Sequence, residues 1–195
     1  MLRDRVLDAA AIIVERDGAG ALSMRKLALD LDCAPMTLYA YFDDKHALLL
    51  ALAQRSFDAL AERLAGHTSH DPLEALRNLY IDYALFGLRN PDDYRTMFMT
   101  PEAQSPRERK GPEQMLADNA AFAVGAQRAL DCVESGVLTG NTHAMTTLLW
   151  TAVHGAIAAI LTFPAFPFGD PEAYVNRVVD LTIGALRTQH IEAIA

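Results

Sequence analysis

The sequence predicts an all-α protein of about nine helices. Apolar residues recur at three- and four-residue spacing along most of the 195-residue chain, and helix-capping signals interrupt that pattern at helix-length intervals. No stretch shows the convincing apolar–polar alternation of a strand, and no internal repeat is visible.

The elements follow in order. Leu2, Val6, Ala9, Ala10 and Ile13 mark a first helix to about Asp17, with Gly18 as its C-terminal cap. Ser23 suits the N-cap of a second helix whose inner face is Met24, Leu27, Ala28 and Leu31. Pro35 opens a third, since its missing N–H would have no partner in a first turn. Asp44 caps a long fourth helix to about Ala65. Asp71-Pro72 opens a fifth, apolar on most sides as a central helix would be, and Asn90-Pro91 a short sixth. "TPEAQSPRERKGPE" reads as a polar loop, with "RERK" on its surface. A seventh helix covers roughly Glu113 to Ser135, an eighth lies within Asn141–Phe163, and Asp170-Pro171 opens a ninth that ends near His190.

Composition narrows the class. Apolar residues make up 51% of the chain, enough for a sizeable core. Cys33 and Cys132 are too few for a disulfide framework and too far apart for a metal pattern; as free thiols they fit a reducing cytosol. A signal peptide is not expected, because Asp4 and Asp8 interrupt the N-terminal apolar pattern. The longest strongly apolar run, Leu148–Phe163, is short for a membrane span, so a cytoplasmic location without a membrane partner is expected. The net charge of −8 argues against a general polyanion binder.

The second and third helices, with "DCAP" between them and the first helix in support, form a helix-turn-helix unit, whose second helix enters the major groove of DNA. With Leu38 and Phe42 turned inward, Met36, Thr37, Tyr39 and Ala40 lie on the outer side and Tyr41 at the edge. Thr and Tyr hydroxyls suit phosphate oxygens, while Met36 and Ala40 offer apolar contact to a thymine methyl. Lys45, Arg25 and Lys26 sit in first helical turns, where the macrodipole favours anions; a bound phosphate would offset that small cost. Against this, residues 1–50 carry six Lys or Arg and eight Asp or Glu. Helical hairpins are common and an outward Tyr is often a rim residue, so these residues alone leave both readings open.

The stretch "ALSMRKLALDLDCAPMTLYAYFDDKHALLLAL" closely resembles the N-terminal signature of the TetR family of transcriptional repressors: a helix ending in Gly, a Ser or Thr before "MRKLA", a "TLYxYF" helix, and an acidic cap followed by Lys and "ALL". The likeness covers about residues 3–52. It implies that Thr37, Tyr39, Tyr41 and Lys45 contact phosphates, that Ser23 and Arg25 make further backbone or groove-edge contacts, and that Pro35, Met36 and Ala40 face base edges. Two departures stand out: Asp32 occupies a turn position that is usually Gly, and Ala34 lacks the hydroxyl often found before the Pro. Asp tolerates left-handed geometry better than most residues. "WTAVHG", Trp150–Gly155, resembles a Trp-His-Gly signature in one branch of TetR C-terminal domains.

The resemblance implies a helix-turn-helix domain over 1–46 and a helical ligand-binding and dimerisation domain over 47–195. The sequence supports pairing independently, because Ser135–Gly169 contains no Asp, Glu, Lys or Arg. Ala156 and Ile160 on the eighth helix, with Val175, Val178, Val179, Thr182, Ile183 and Leu186 on the ninth, would meet their copies across a two-fold axis. The alternative is that these stripes form the core of a monomer. An apolar effector pocket within helices five to eight would draw on Tyr83, Phe86, Met97, Phe98, Met115, Phe122, Trp150 and His154, each of which ordinary core packing also explains.

The reading is therefore a ligand-responsive regulator, a repressor, that binds palindromic operator DNA as a homodimer and is released by a small, largely apolar effector. A helical sensor without DNA binding and an all-helical enzyme are the alternatives. Phosphate loops, nucleophile elbows and helical His-Glu motifs are missing from the sequence, so catalytic residues, cofactors and metals are not expected. His67 and His70 have metal-like spacing but read better as part of a solvated loop.

Overall fold

The computed structural model describes residues 2–66, 68–99 and 119–193. Among these residues it contains nine α-helices: α1 (Leu2–Asp17), α2 (Met24–Asp30), α3 (Pro35–Tyr39), α4 (Lys45–Ala65), α5 (Pro72–Arg89), α6 (Pro91–Phe98), α7 (Ala120–Glu134), α8 (Thr142–Thr162) and α9 (Pro171–Thr188). A single 3-10 turn, Ala19–Ala21, joins α1 to α2, and the β-pairing described is one isolated bridge, Gly140 to Ile191. The loop after α6, the expected start of the seventh helix, Met115 and His67 lie outside the described residues.

The chain divides into two compact units, Met1–Phe57 with Asn90–Arg109 and Asp58–Arg89 with Lys110–Ala195. The break falls inside α4 rather than at the expected 46/47 boundary. Leu48, Leu49 and Leu52 on the first turns of α4 explain this, since they complete the core formed by Val6, Leu7, Ala10, Leu22, Leu27, Leu38 and Phe42. α6 also belongs to the first unit, where it packs on α1.

In the first unit, local chemistry fixes each break. The Gly18 N–H donates to the Val14 carbonyl at 2.9 Å with φ of 80°, a value that favours glycine. Between α2 and α3, Asp32 is the one non-glycine residue with positive φ, 51°, among those described, so the left-handed geometry usually supplied by Gly is present with Asp. Pro35 takes the first turn of α3, and the Asp44 carboxylate caps α4 by accepting from the Ala47 N–H at 2.8 Å.

In the second unit α5 is central and packs on α7, α8 and α9. Tyr80 is buried and donates to the Thr146 carbonyl on α8 at 3.2 Å. Asp71 and Asp170 cap α5 and α9 through the Leu73 and Ala173 N–H groups. α8 has 21 residues and is long and apolar enough to cross a bilayer by composition alone. Its packing against α5, α7 and α9 accounts for that character as part of a helical core. The chain end is pinned by Asn141 N–H to Ile191 O, 2.7 Å, and Ile191 N–H to Thr139 O, 3.3 Å.

Candidate nucleic-acid interface

α3 is five residues long, and its position depends on burial rather than on intrinsic helix strength. Leu38 is fully buried and Phe42 nearly so, which turns the other side of the segment outward. Met36 is 76% exposed, Tyr39 41% and Tyr41 46%; Pro35 and Ala40 are exposed, and Thr37 is half-buried. A thioether, hydroxyls and a methyl thus share one short outer surface.

The basic groups stand at the starts of the neighbouring helices α2 and α4. Arg25 and Lys26 are exposed in the first turn of α2. Lys45, in the first turn of α4, is half-buried and donates from Nζ to the Gly20 carbonyl at 3.2 Å, so its stem is steered along the 3-10 turn. Ser23 occupies the N-cap position of α2 but makes no capping bond; the expected cap is absent and the hydroxyl is exposed. Ala34 likewise gives α3 no side-chain cap. Of the nearby carboxylates, Asp44 is engaged by its own helix terminus, while Asp32 and Asp43 are exposed.

The residues expected to line an effector pocket separate. Met97 and Phe98 belong to the first unit, where Phe98 stacks edge-on against Phe57 at 5.2 Å and tilted against Tyr94 at 4.8 Å. In the second unit Tyr83, Trp150 and His154 come together: the Tyr83 hydroxyl is 3.0 Å from His154 Nδ1, and the Trp150 and His154 rings lie 5.0 Å apart. Burial holds the His154 pKa below its ordinary value. Phe86 on α5 is buried, and Phe122 stacks against His143 at 5.5 Å.

An ion pair was not apparent in the sequence. Asp82 is the one buried carboxylate among the described residues, and Arg63 from the end of α4 grips it bidentately through Nε and a terminal nitrogen. That bond raises the Arg63 pKa. The two residues are 19 apart on different helices, a separation at which sequence spacing gives no pairing signal.

The expected pairing stripe requires a correction. Ala156, Val175, Val179, Ile183 and Leu186 are buried within the protomer because α9 packs on α8 and α5. Their side chains are thus occupied within the protomer. Val178, Thr182 and Ile160 are half-buried. The outward apolar positions are Leu148, Thr151, Gly155 and Thr162 on α8, and Tyr174, Leu181 and Ala185 on α9. Helical spacing identified the helices correctly but could not distinguish the face that meets α5 from the one left outside.

Residues 6–52 match the family described as bacterial regulatory proteins, tetR family. Residues 73–182, over half of the chain, match the Tetracyclin repressor-like C-terminal domain. The HTH-type transcriptional repressor KstR of Rhodococcus jostii is 35% identical over 75 residues, 38% of this chain and 35% of that protein. KstR of Mycolicibacterium smegmatis is 41% identical over 76 residues, 36% of this chain and 37% of that protein. The chain thus spans about a third of the length of these curated relatives. A solved structure of a protein of unknown function from Rhodococcus sp. RHA1 superposes with a TM-score of 0.77 at 21% identity, covering 96% of each chain, a likeness of fold alone. With a tetR-type helix-turn-helix match at its N-terminus and a repressor-like match through most of the remainder, the chain belongs to the TetR family of bacterial regulatory proteins.

Proposed function

We propose that this protein is a ligand-responsive repressor that binds palindromic operator DNA as a homodimer in the cytoplasm. The single observation that carries the DNA reading is the outer surface of α3, where Met36, Tyr39 and Tyr41 stay exposed while Leu38 and Phe42 anchor the segment. In this reading Thr37, Tyr39, Tyr41 and Lys45 hold phosphates, and Ser23 and Arg25 make further backbone or groove-edge contacts. Pro35, Met36 and Ala40 face the bases, Met36 and Ala40 offering apolar contact to thymine methyls. Two copies place their recognition helices about 34–36 Å apart, one turn of DNA. The homodimer forms through the outward faces of α8 and α9, since five of the eight expected residues are used within the protomer.

The effector is small and largely apolar. Supporting this, the described interior of the second unit is mostly apolar; its polar groups include Tyr83 with His154, Tyr80 with the Thr146 carbonyl, Asp82 with Arg63, and the buried Arg128 Nε and Asn176 Oδ1, which have no hydrogen-bond partner among the described residues. Its preference for one spacing of the two recognition helices shifts the population between binding and released states. The regulator reading assigns the chain no catalytic role, cofactor or metal.

Tyr39→Phe with Tyr41→Phe removes two hydroxyls and no apolar surface. Fluorescence anisotropy with a labelled duplex should show several-fold weaker binding by this double variant. Unchanged affinity would remove those hydroxyls from the interface. A ligand that raises the thermal midpoint should also lower operator affinity; if it left affinity unchanged at saturation, the coupling would fail.

A further inference from the structure

The turn between α8 and α9, Phe163 to Asp170, carries more apolar surface than a helix reversal requires. Gly169, with φ of 77°, and the capping Asp170 supply the reversal. Yet Phe163 and Phe166 are each 61% exposed, and Phe166, Phe168 and Tyr174 stack in series at centroid distances of 4.8 and 5.2 Å. The turn is also internally braced: Phe166 N–H donates to Phe163 O at 2.9 Å, Phe168 N–H to Phe166 O at 2.8 Å, and Pro164 and Pro167 restrict the backbone. Aromatic rings are therefore held outward in water by a preorganised segment, which loses little freedom when it docks.

We infer that this aromatic turn is an anchor of the homodimer, packing against the outward faces of α8 and α9 of a second copy of this chain. The inference rests on the homodimer reading and names the part of the interface that supplies its area. A stable interface needs about 800 Å² per partner. The outward positions of α8 and α9 include Thr151, Gly155 and Ala185, which provide little surface. Phe163 and Phe166 provide roughly 100 Å² or more each, judged from their exposure and the size of a fully buried aromatic side chain. They are continuous in the chain with both helices. Buried aromatic residues also dominate interface energetics.

Charge favours a second copy as the occupant. Residues 135–169 contain no Asp, Glu, Lys or Arg. On α9, Glu172 and Asp180 are turned towards Arg89 and Arg77 of α5, so the outward flank of Tyr174, Val178, Leu181 and Ala185 carries one exposed charge, Arg177. The uncharged turn and α8 face match an apolar surface of their own copy across a two-fold axis, and a single Arg177 on α9 is little for a nucleic acid or an anionic lipid to grip.

Sedimentation equilibrium over a dilution series tests this with the full chain and the Phe163→Ser/Phe166→Ser double variant. The expected result is a dimeric wild type and a variant whose dimer dissociation constant rises about tenfold or more, with the far-ultraviolet circular dichroism of both chains alike. Phe166→Leu, which keeps apolar bulk, should stay within a few-fold of wild type and guards against a folding defect in the double variant. A dimeric wild type with an equally tight double variant would overturn the turn's role and leave the homodimer standing. A wild type that is monomeric throughout would overturn both. If flotation with phosphatidylcholine vesicles carried wild type but not the double variant, while dimerisation was equal in the two, the occupant would be lipid and the inference would fall.

Discussion

Replacing Lys45 by Ala changes the salt dependence of DNA binding by an amount the proposed interface specifies. Three cations per protomer stand in the first turns of α2 and α4, where a phosphate would offset their conflict with the helix dipole, and are counted as phosphate contacts: Arg25, Lys26 and Lys45. A dimer therefore places six on phosphates. Each neutralised phosphate contributes about −0.9 to the slope of log affinity against log salt, so the wild-type slope should be about −5. Between 50 and 200 mM salt, wild type would lose roughly three orders of magnitude in affinity. Lys45→Ala removes one cation per protomer and should make the slope shallower by about 2, whichever duplex is used, because phosphates carry no sequence information. Lys45→Arg should retain the wild-type slope. The assay is fluorescence anisotropy of a labelled duplex at several salt concentrations, with circular dichroism confirming that loss of the Lys45–Gly20 hydrogen bond leaves the first unit folded. An Ala variant with the wild-type slope would take Lys45 off the phosphates and refute the counting.

Three further predictions concern the second unit. Arg63→Met withdraws the bidentate partner of the buried Asp82 carboxylate and should lower stability by about 2–4 kcal/mol, discounted because the Arg63 side chain is 45% exposed. In a chain of this size that is a fall of roughly 5–15 °C in the thermal midpoint, and a change below one degree would show the pair to be energetically idle. Gly140→Ala places a Cβ 2.2 Å from the Ile191 carbonyl oxygen at a φ of 126°; the Ile191 and Asn141 amides should then exchange with deuterium much faster, and unchanged protection would mean that the pin tolerates the intrusion. For His154, burial lowers the folded-state pKa, so the unfolded chain binds the proton more readily. Its contribution is complete above the ordinary pKa of about 6.5 and is lost as pH falls through that value, by up to about 1.4 kcal/mol per pH unit. Urea unfolding near pH 7.5 and 5.5 should show a smaller acid loss in His154→Gln, and an identical loss in the variant would clear His154 of the effect.

The legible parts of the sequence were those governed by local chemistry. Apolar spacing and caps such as Asp44, Asp71 and Asp170 mark the helices because each signal acts within one turn. The outward side of α3 was readable because Leu38 and Phe42 alone can reach inward from so short a segment. Ser23 misled at the finer level, since an N-cap residue type does not guarantee a capping bond. Tertiary decisions were not legible. Val175, Val179, Ile183 and Leu186 form a clean stripe whether the neighbour is α5 or a second chain. The unit boundary moved into α4 because Leu48, Leu49 and Leu52 complete the core below the helix-turn-helix, a consequence of packing rather than of any local break.

The most direct test of the central proposal is selection of bound fragments from random DNA by the full-length protein, followed by sequencing. The expected result is an enriched site with two half-sites related by a dyad and centred one helical turn apart, about 10 base pairs. Recovery of unenriched DNA, or of an asymmetric site lacking a second half, would contradict it.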